Sequence, residues 1–304
     1  MKDLSIIIVS YNTCDLTLEC IQSVIKFTKS IRYEIIVVDN NSKDSSVKML
    51  SKLHESGKIT LIGNKSNLGF AAANNIGISK TSGRFVLFLN SDTVLDDNVL
   101  GEMVAWMDKH PKIGIASCAL KNIDGSMQGT GGYFPTLSRV MSWMTIQDIP
   151  GVDKFIKPFH PMKEKSFTPS LDFYNHPKEL DWITGAFMLV RRQVVDDVGL
   201  FDEKYFMYTE ETDYCYRAQK RGWQIYYNPK WSIVHIGGAS GTKESSINKE
   251  FNGVKRFYLK YYPKWNYPVL ILLLKIGTFG RCVLFTLMNR KEEAKIYAQA
   301  FRTV

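Results

Sequence analysis

The first 120 residues alternate short apolar runs with segments in which apolar residues recur every three or four positions. The continuous runs predict buried strands, and the periodic segments predict amphipathic helices. The predicted strands cover residues 4–9, 35–38, 59–62, 85–89 and 113–118. The predicted helices cover residues 16–28, 45–53, 70–80 and 99–109. Because strands that are apolar throughout are typical of a sheet covered on both faces, the pattern predicts an α/β fold with a mostly parallel central sheet.

The regular pattern is lost between residues 121 and 180, which are rich in glycine, proline, serine and aromatic residues. This composition predicts long loops of the kind that cover a binding site. The pattern resumes at residue 182, with a strand predicted at 183–190 and a helix that ends near residue 221. Two further strands are predicted at residues 224–228 and 232–235.

Polar clusters follow three of the predicted strands at their carboxyl ends. The clusters are Ser10-Tyr11-Asn12, Asp39-Asn40-Asn41-Ser42 and Asn90-Ser91-Asp92. Ligands of open parallel sheets bind beyond the carboxyl ends of the strands, so these clusters are candidate binding residues. Asp39 is interpreted either as an Asx turn or helix cap, or as a carboxylate that accepts the imide N–H of a pyrimidine base. Asp92 is interpreted either as a turn residue, or as a ligand of a divalent cation that a diphosphate also binds.

Two later features also carry candidate chemistry. Residues 201–213 combine several acids with several aromatic residues. They are either a solvated helix start or a cleft in which neighbouring carboxylates raise each other's pKa and supply a general base. His235 ends a predicted strand and precedes a Gly/Ser/Thr-rich loop at residues 236–242. A lone histidine is commonly structural, but here it is a candidate metal ligand beside a loop that can contact phosphates.

Charge is concentrated at the C-terminal end of the sequence. The net charge is +9, and residues 254–304 carry ten Lys and Arg against two Glu. The basic residues flank and interrupt the apolar stretch 268–288, a pattern that favours an anionic membrane surface over nucleic acid as the partner. Lys275 and Arg281 make a membrane span costly, whereas an in-plane helix can place both cations among the lipid headgroups. We therefore expect an in-plane helix that buries Leu270, Leu273, Leu274 and Ile276 in lipid, with a core helix of a small bundle as the alternative.

Composition excludes several other classes of protein. Hydrophobic residues make up 45% of the chain and charged residues 23%, which argues against a disordered protein. The five cysteines are scattered without a C-x-x-C pair, so neither a disulfide framework nor a zinc ribbon is predicted, and a reducing cytosol is expected. The N-terminal apolar run is too short for a signal peptide, so we expect the chain to start in its first strand.

Taken in order, the motifs of residues 4–240 resemble those of the family 2 inverting glycosyltransferases, and within them the bacterial rhamnosyltransferase-like branch. The motifs are Val9-Ser10-Tyr11-Asn12, Val37-Val38-Asp39-Asn40-Asn41-Ser42, the run from Asn67 to Gly77, Leu89-Asn90-Ser91-Asp92, Trp182-Ile183-Thr184-Gly185-Ala186, the acidic segment and His235. The resemblance implies a GT-A-type nucleotide-diphospho-sugar transferase fold. It implies a glycosyltransferase domain over residues 1–250, with a donor half at about 1–120 and an acceptor half at about 121–250, followed by a basic amphipathic tail at 251–304.

The resemblance also assigns roles to residues of this chain. The implied nucleotide-binding residues are Ser10, Tyr11, Asn12, Asp39, Gly69, Phe70, Asn75, Asn90 and Ser91. The implied metal ligands are Asp92 and His235, with Asn90 standing where the family's D-x-D-like motif has its first acid. The implied acceptor-side residues are Trp182, Gly185 and Ala186, whose small members leave room for the sugar. The family's Glu-Asp pair is here Glu210-Glu211, either of which is the candidate base, and Asp213 with Arg217 is expected to form a supporting ion pair.

The implied activity is the inverting transfer of a sugar, L-rhamnose from dTDP-L-rhamnose, to a hydroxyl of a glycan or lipid-linked saccharide in bacterial surface polysaccharide synthesis. The implied cofactor is Mg²⁺ or Mn²⁺, and the implied location is the cytoplasmic face of the plasma membrane, with a homodimer left open. One alternative is a UDP-sugar-dependent transferase (hexosyl, N-acetylhexosaminyl or galactofuranosyl), and another is an inert scaffold subunit that binds nucleotide sugars. A dinucleotide-dependent oxidoreductase is disfavoured because no G-x-G-x-x-G follows the first strand.

Overall fold

A computed structural model describes residues 2–147, 152–161, 173–237 and 243–304 of the chain. The chain packs into two compact units. The first unit contains Met1–Gly131, Leu171–Phe206 and Glu210–Ser240, and the second contains Gly132–Ser170, Met207–Thr209 and Gly241–Val304. Helix α9 is continuous across residue 250, where the sequence predicts a domain boundary, and that boundary stays a prediction.

Up to residue 121 the elements follow the predicted order, with one two-residue strand added. Up to residue 121 they are β1 Lys2–Ser10, α1 Cys14–Phe27, β2 Tyr33–Asp39, α2 Ser46–Glu55, β3 Thr60–Gly63, α3 Gly69–Ile78, β4 Gly83–Asn90, β5 Thr93–Val94, α4 Val99–Asp108 and β6 Ile113–Lys121. After it they are β7 Gly131–Gly132, α5 Leu137–Met144, α6 Val152–Phe155, β8 Lys178–Glu179, β9 Trp182–Ile183, β10 Phe187–Arg191, α7 Arg192–Val198, α8 Glu210–Lys220, β11 Gln224–His235, α9 Lys243–Tyr261, α10 Asn266–Leu287 and α11 Lys291–Thr303. The added strand is β5, whereas β7, α5, α6, β8 and α7 lie where the pattern predicts no regular element.

The first unit is built on a nine-stranded sheet with the strand order β3-β2-β1-β4-β10-β6-β11-β5, and β8 pairs with β11. Strands β1 to β4 run parallel to one another, and β6 runs parallel to β11. Apolar residues of these strands and of helices α1, α2 and α4 form its core. The prediction of a mostly parallel sheet in an α/β fold is confirmed.

Two strands differ in detail from the pattern. Strand β10 runs antiparallel to both β4 and β6, because the chain leaves β6 at its carboxyl end and re-enters the sheet at that same edge. The two strands predicted at 224–228 and 232–235 are one strand, β11, with a register shift between Tyr227 and Ser232. Pro229 lies in this interval, and a proline cannot donate a ladder hydrogen bond.

In the second unit, helix α10 packs against α5, α9 and α11. A Cβ on Gly277 would lie 2.5 Å from the Met144 Cβ, so the absence of a side chain lets α10 approach α5 closely. Among the described residues, α10 is the one helix long and apolar enough to cross a membrane.

Helix α10 buries within the protein some of the residues that the sequence pattern assigned to a membrane surface. Leu270 and Leu274, expected to enter lipid, are fully buried within the protein. Arg281, expected among lipid headgroups, donates to the Trp143 carbonyl and lies over the Tyr297 ring. The expectation was wrong for these residues because α10 is apolar on both sides, so apolar periodicity alone does not tell which side the protein covers.

Candidate active site

The register of the sheet brings the predicted polar clusters to one edge of the first unit. Ser10 at the end of β1 pairs with Asp39 at the end of β2, and Val9 pairs with Asn90 at the end of β4. The Asn90 amide donates to the Ala186 carbonyl at 3.0 Å, which places the start of β10 at the same edge. Four adjacent strands therefore present candidate residues side by side.

Asp39 lies at the base of this edge and is only 2% exposed. Its Oδ2 accepts the Ser42 amide at 3.0 Å, as in an Asx turn. Its Oδ1 is buried and accepts no hydrogen bond from the part of the chain that the structure describes. Because buried polar atoms are normally paired, this oxygen is an acceptor available to a ligand.

The loops after β1 and β2 are hydrogen-bonded to each other. The Asn12 amide donates to Ser42 Oγ at 2.9 Å, and Asn12 Oδ1 accepts the Lys43 amide at 2.7 Å. Asn12 and Asn41 both have positive φ angles, 54° and 69°. Residues held in this region cost conformational energy and cluster at functional sites. Tyr11 lies half-buried beside these contacts.

The hydroxyls of Ser10 and Ser91 are turned into the protein. Ser10 Oγ lies 2.9 Å from Thr17 Oγ1, and Ser91 Oγ lies 3.2 Å from Thr13 Oγ1. Thr13 Oγ1 in turn lies 3.1 Å from Thr17 Oγ1, so the four hydroxyls form one cluster. They brace the loop under the predicted nucleotide position rather than facing out of it.

Asn40 fastens the turn that leads into α3, a function that the sequence did not reveal. Its Oδ1 accepts from Asn64 Nδ2 at 3.0 Å and from the Leu68 amide at 3.1 Å. Its Nδ2 donates to Asn67 Oδ1 at 2.9 Å and to the Gly69 carbonyl at 3.2 Å. The signal available in the sequence was the repeated asparagine in Asp39-Asn40-Asn41 and in Ser66-Asn67-Leu68-Gly69.

Gly69 and Phe70 join this turn to the acidic segment. Gly69 has φ +83°, and a Cβ at this position would overlap the Phe206 carbonyl. The Phe70 amide donates to the same carbonyl at 2.8 Å. The Phe70 ring lies on Gly185, whose Cβ would come within 2.8 Å of the ring. The space beside Gly185, expected to receive a sugar, is therefore filled by Phe70.

Asn75 holds the start of the acidic segment. Its Oδ1 accepts the Phe201 amide at 2.9 Å, and its Nδ2 donates to the Phe201 carbonyl and to Glu203 Oε1 at 3.0 and 2.9 Å. Both ends of its amide are thus used within the protein. Trp182 and Ala186, expected on the acceptor side, are 6% and 3% exposed.

Glu210 and Glu211 begin helix α8 directly after two strained residues. Tyr208 and Thr209 have φ angles of 71° and 73°, which non-glycine residues rarely adopt. Glu210 is 4% exposed, and its Oε2 is buried without a hydrogen-bond partner among the described residues. Burial, followed by the charge of Glu211, raises the pKa of Glu210 well above its usual value. Glu211 is half-buried and therefore more exposed than Glu210.

Asp213 and Arg217, one helical turn apart on α8, form an ion pair with Arg217 Nε 2.9 Å from Asp213 Oδ2. Arg217 also donates to the carbonyls of Val198 and Leu200 at 2.7 and 2.8 Å. These contacts join helix α8, on which the two glutamates lie, to the end of α7 and the residues that follow it.

Asp92 and His235 face each other at the same edge of the sheet. Asp92 Oδ1 lies 3.4 Å from His235 Nε2, and Asp92 Oδ2 accepts the Gly237 amide at 3.1 Å. Asn90 Nδ2 lies 3.3 Å from the same His235 nitrogen. Burial by itself raises the pKa of Asp92, but hydrogen bonding and charge from His235 outweigh it and hold the pKa below its usual value. Residues 238–242 of the predicted phosphate loop lie outside the described residues.

Gln128, which the sequence did not single out, fixes the orientation of the His235 ring. Gln128 Nε2 lies 2.6 Å from the His235 carbonyl, which can only accept a hydrogen bond, so this end of the amide is the donor. Gln128 Oε1 is then an acceptor, 2.7 Å from His235 Nδ1. His235 Nδ1 is therefore the donor in this contact, and the ring is held with Nε2 toward Asp92.

This donor set fits a divalent cation. Two acceptor atoms, Asp92 Oδ1 and His235 Nε2, are 3.4 Å apart and repel each other unless a proton or a cation lies between them. Within the described ranges no group of three or more His, Cys, Asp or Glu side chains is placed to hold a metal ion. Two protein ligands suffice where diphosphate oxygens and water complete the coordination of the ion. The histidine, with its other nitrogen bonded to Gln128, has the orientation that metal-binding histidines adopt.

Comparison with known proteins agrees with this geometry. The sequence pattern of glycosyl transferase family 2 matches residues 5–199. The N-acetylglucosaminyl-diphospho-decaprenol L-rhamnosyltransferase of Mycobacterium tuberculosis is 24% identical over 219 residues, 66% of each chain. The rhamnosyltransferase WbbL of Escherichia coli K12 is 26% identical over 235 residues, 75% of this chain and 80% of that protein.

A solved structure, GalNAc-T7 with UDP, GalNAc and Mn²⁺, superposes with a TM-score of 0.61 at 17% identity, over 85% of this chain and 48% of that one. This likeness confirms the expected GT-A-type fold. The family pattern covers well over half of the chain, from the first strand to the end of α7. The chain therefore belongs to glycosyl transferase family 2.

Proposed function

We propose that this glycosyltransferase transfers L-rhamnose from dTDP-L-rhamnose, with inversion, to a hydroxyl of a glycan or lipid-linked saccharide in bacterial surface polysaccharide synthesis. The observation that carries the proposal is the sheet edge at which the open Asp39 acceptor and the Asp92–His235 pair occur together. Support for the rhamnosyl donor comes from the names of the mycobacterial and Escherichia coli relatives.

In this proposal Asp39 Oδ1 accepts the N3–H of the base, while Tyr11 and Asn12 flank the nucleoside. Thymine and uracil present the same imide group, so Asp39 serves a dTDP-sugar and a UDP-sugar equally. The alternative is therefore a UDP-sugar-dependent transferase that uses the same residues.

Asp92 and His235 would hold a Mg²⁺ or Mn²⁺ ion together with the donor diphosphate. When bound, such an ion supplies positive charge that stabilises the departing nucleoside diphosphate. His235 can do so only with Nε2 unprotonated, which is the form that its hydrogen bond to Gln128 favours.

Glu211 is the proposed general base. Its carboxylate takes the proton of the acceptor hydroxyl while the acceptor oxygen bonds to the anomeric carbon and the bond from that carbon to the diphosphate oxygen breaks. Burial, and then the charge of Glu211, raise the pKa of Glu210, which favours its neutral form and limits the negative charge near the attacking oxygen. The Asp213–Arg217 ion pair positions both residues.

Calorimetric titration of the purified protein with dTDP, UDP, GDP and NAD, each with and without Mn²⁺, tests the donor. Metal-dependent binding of dTDP over UDP is expected, whereas a preference for UDP would support the alternative donor. Absence of binding to all four would contradict the proposed donor site. Asp92→Asn is expected to lose the Mn²⁺ dependence, and Asp96→Asn, an exposed acid after the same strand, is the matched control.

Rate measurements separate the two glutamates. Glu211→Gln should lower turnover by about 10²-fold or more while donor binding is unchanged. A larger loss in Glu210→Gln than in Glu211→Gln would assign the base to Glu210.

We also propose that the enzyme is attached to the cytoplasmic face of the plasma membrane, where a lipid-linked acceptor would be accessible.

A further inference from the structure

Helix α10 has an exposed side that is apolar along its whole length. More than half of the exposed large apolar side chains among the described residues lie between Leu259 and Phe301. On α10 they recur every three or four positions and so share one face. The residues of this face are Trp265, Val269, Leu272, Ile276, Phe279, Val283 and Leu287. A helix of 22 residues is about 33 Å long, so the face is far longer than an isolated surface contact.

The opposite side of α10 is fully used within the second unit. Leu270, Leu274 and Thr278 are buried, and Gly277 contacts Met144 of α5. A helix covered by protein along one side is not arranged as an isolated membrane span, in which lipid surrounds the helix. The geometry instead suits a helix that lies in the plane of an interface.

The two cations in the middle of α10 do not interrupt the exposed face. Arg281 donates to the Trp143 carbonyl and lies over the Tyr297 ring, both within the second unit. Lys275 Nζ lies 5.6 Å from the Phe301 ring of α11. The face itself therefore contains no charged residue.

The charge around the exposed face of α10 distinguishes between two possible partners, a second copy of the chain and an anionic lipid surface. The three-and-four spacing would also suit a coiled coil with a second copy of the chain. However, residues 250–293 contain eight Lys and Arg against three Glu, so two copies would bring an excess of like charges together. An anionic lipid surface attracts the same charges and receives the apolar side chains. Contiguous exposed apolar surfaces of this kind mark interaction sites.

We propose that the exposed face of α10, from Trp265 to Leu287, docks in the plane of an anionic membrane. The proposal deepens the membrane attachment proposed above and corrects its contact residues. Leu272 and Ile276 enter the acyl region, whereas Leu270 and Leu274 belong to the protein core. Exposed Lys264 and Lys291, near the two ends of the helix, contact the lipid phosphates.

Flotation with phosphatidylglycerol-containing vesicles and with phosphatidylcholine vesicles tests the proposal on the full chain. The wild type should float with the anionic vesicles. Leu272→Glu/Ile276→Glu should bind at least about tenfold more weakly, because each change places a charge in the acyl region. Asn252→Glu/Gln299→Glu is the matched control, since both residues are exposed on neighbouring helices and the change in net charge is the same. It should lose at most a few-fold.

Equal binding of the two double variants would overturn the proposal, as would a wild type that stays in solution with both kinds of vesicle. A wild-type dimer that Leu272→Glu/Ile276→Glu converts to a monomer, without vesicle binding, would assign the face to a second copy instead. Val269→Gln/Phe279→Gln gives an uncharged second test. Nucleotide titration of each variant checks that it is folded, and it separates failure of membrane docking from failure of the proposed donor specificity.

Discussion

Replacement of Gln128 by methionine should weaken divalent-cation binding without touching either proposed ligand. Methionine fills a similar volume but cannot accept the His235 Nδ1 proton. The lost hydrogen bond, 2.7 Å long in the structure, contributes about 1 kcal/mol, or roughly fivefold in affinity, if the ring stays in place. The ring is also released to adopt its other tautomer and orientation. Loss of comparable partners of metal ligands costs about 10–100-fold in affinity, and we expect Gln128→Met to fall in that range.

The assay is Mn²⁺ titration followed by electron paramagnetic resonance in the presence of saturating dTDP or UDP. Long-range ¹H–¹⁵N spectra of the metal-free protein report the His235 tautomer separately from activity. Asn122→Ala is the matched control, because it removes the other side-chain partner of the Gln128 amide, 2.6 Å from its Nε2, and leaves His235 in place. A Gln128→Met protein that binds Mn²⁺ within about twofold of the wild type, with its tautomer unchanged, would refute the reasoning.

Two further predictions concern the acidic segment and the turn before α3. Glu210→Gln should stabilise the protein increasingly as pH rises above about 4.3, the unfolded-state pKa of a glutamate. The pKa of Glu210 is raised in the folded state, so its ionisation above that pH disfavours folding in the wild type only. Urea unfolding at about pH 5 and about pH 8 measures the difference in stability between variant and wild type, and an equal difference at both pH values would contradict the prediction. Gly69→Ala should lower the free energy of unfolding by at least about 2 kcal/mol and lower turnover, because its Cβ would overlap the Phe206 carbonyl at a positive φ. Gly57→Ala, with φ +71° and open space around the Cβ, should lower it by only about 1 kcal/mol. Equal losses of stability in thermal unfolding would rule out the close approach to Phe206 as the cause.

The strands and the polar clusters at their ends could be predicted because both depend on local pattern. Apolar runs of four to six residues identified the parallel strands, and the carboxyl ends of parallel strands lie at one edge whatever their order. The direction of β10 could not be predicted in this way, since it depends on where the long segment after β6 returns to the sheet.

The hydrogen bonds that Gln128 and Asn75 make around the candidate site also could not be predicted from the sequence. Gln128 lies 107 residues from His235 in the chain, and Asn75 lies 126 residues from Phe201. No periodicity relates residues so far apart, and glutamine and asparagine are ordinary loop and helix residues. The same limit explains Leu270 and Leu274, because the pattern of α10 is apolar on two sides and only the packing of α5 decides which side is covered.

An unpaired buried oxygen is not by itself evidence of a binding site in this protein. The Tyr214 hydroxyl is also buried without a hydrogen-bond partner among the described residues, yet the Tyr214 ring packs on the Phe201 ring, with the two ring centroids 4.6 Å apart. Asp39 Oδ1 differs because it belongs to a carboxylate at a strand end. Burying a charged oxygen without a hydrogen bond costs more free energy than burying a neutral hydroxyl in the same way. A fold selected for stability alone would pair such an oxygen with a hydrogen-bond donor, as it pairs Asp39 Oδ2 with the Ser42 amide. Its retention is explained if a donor group of the substrate supplies the missing hydrogen bond.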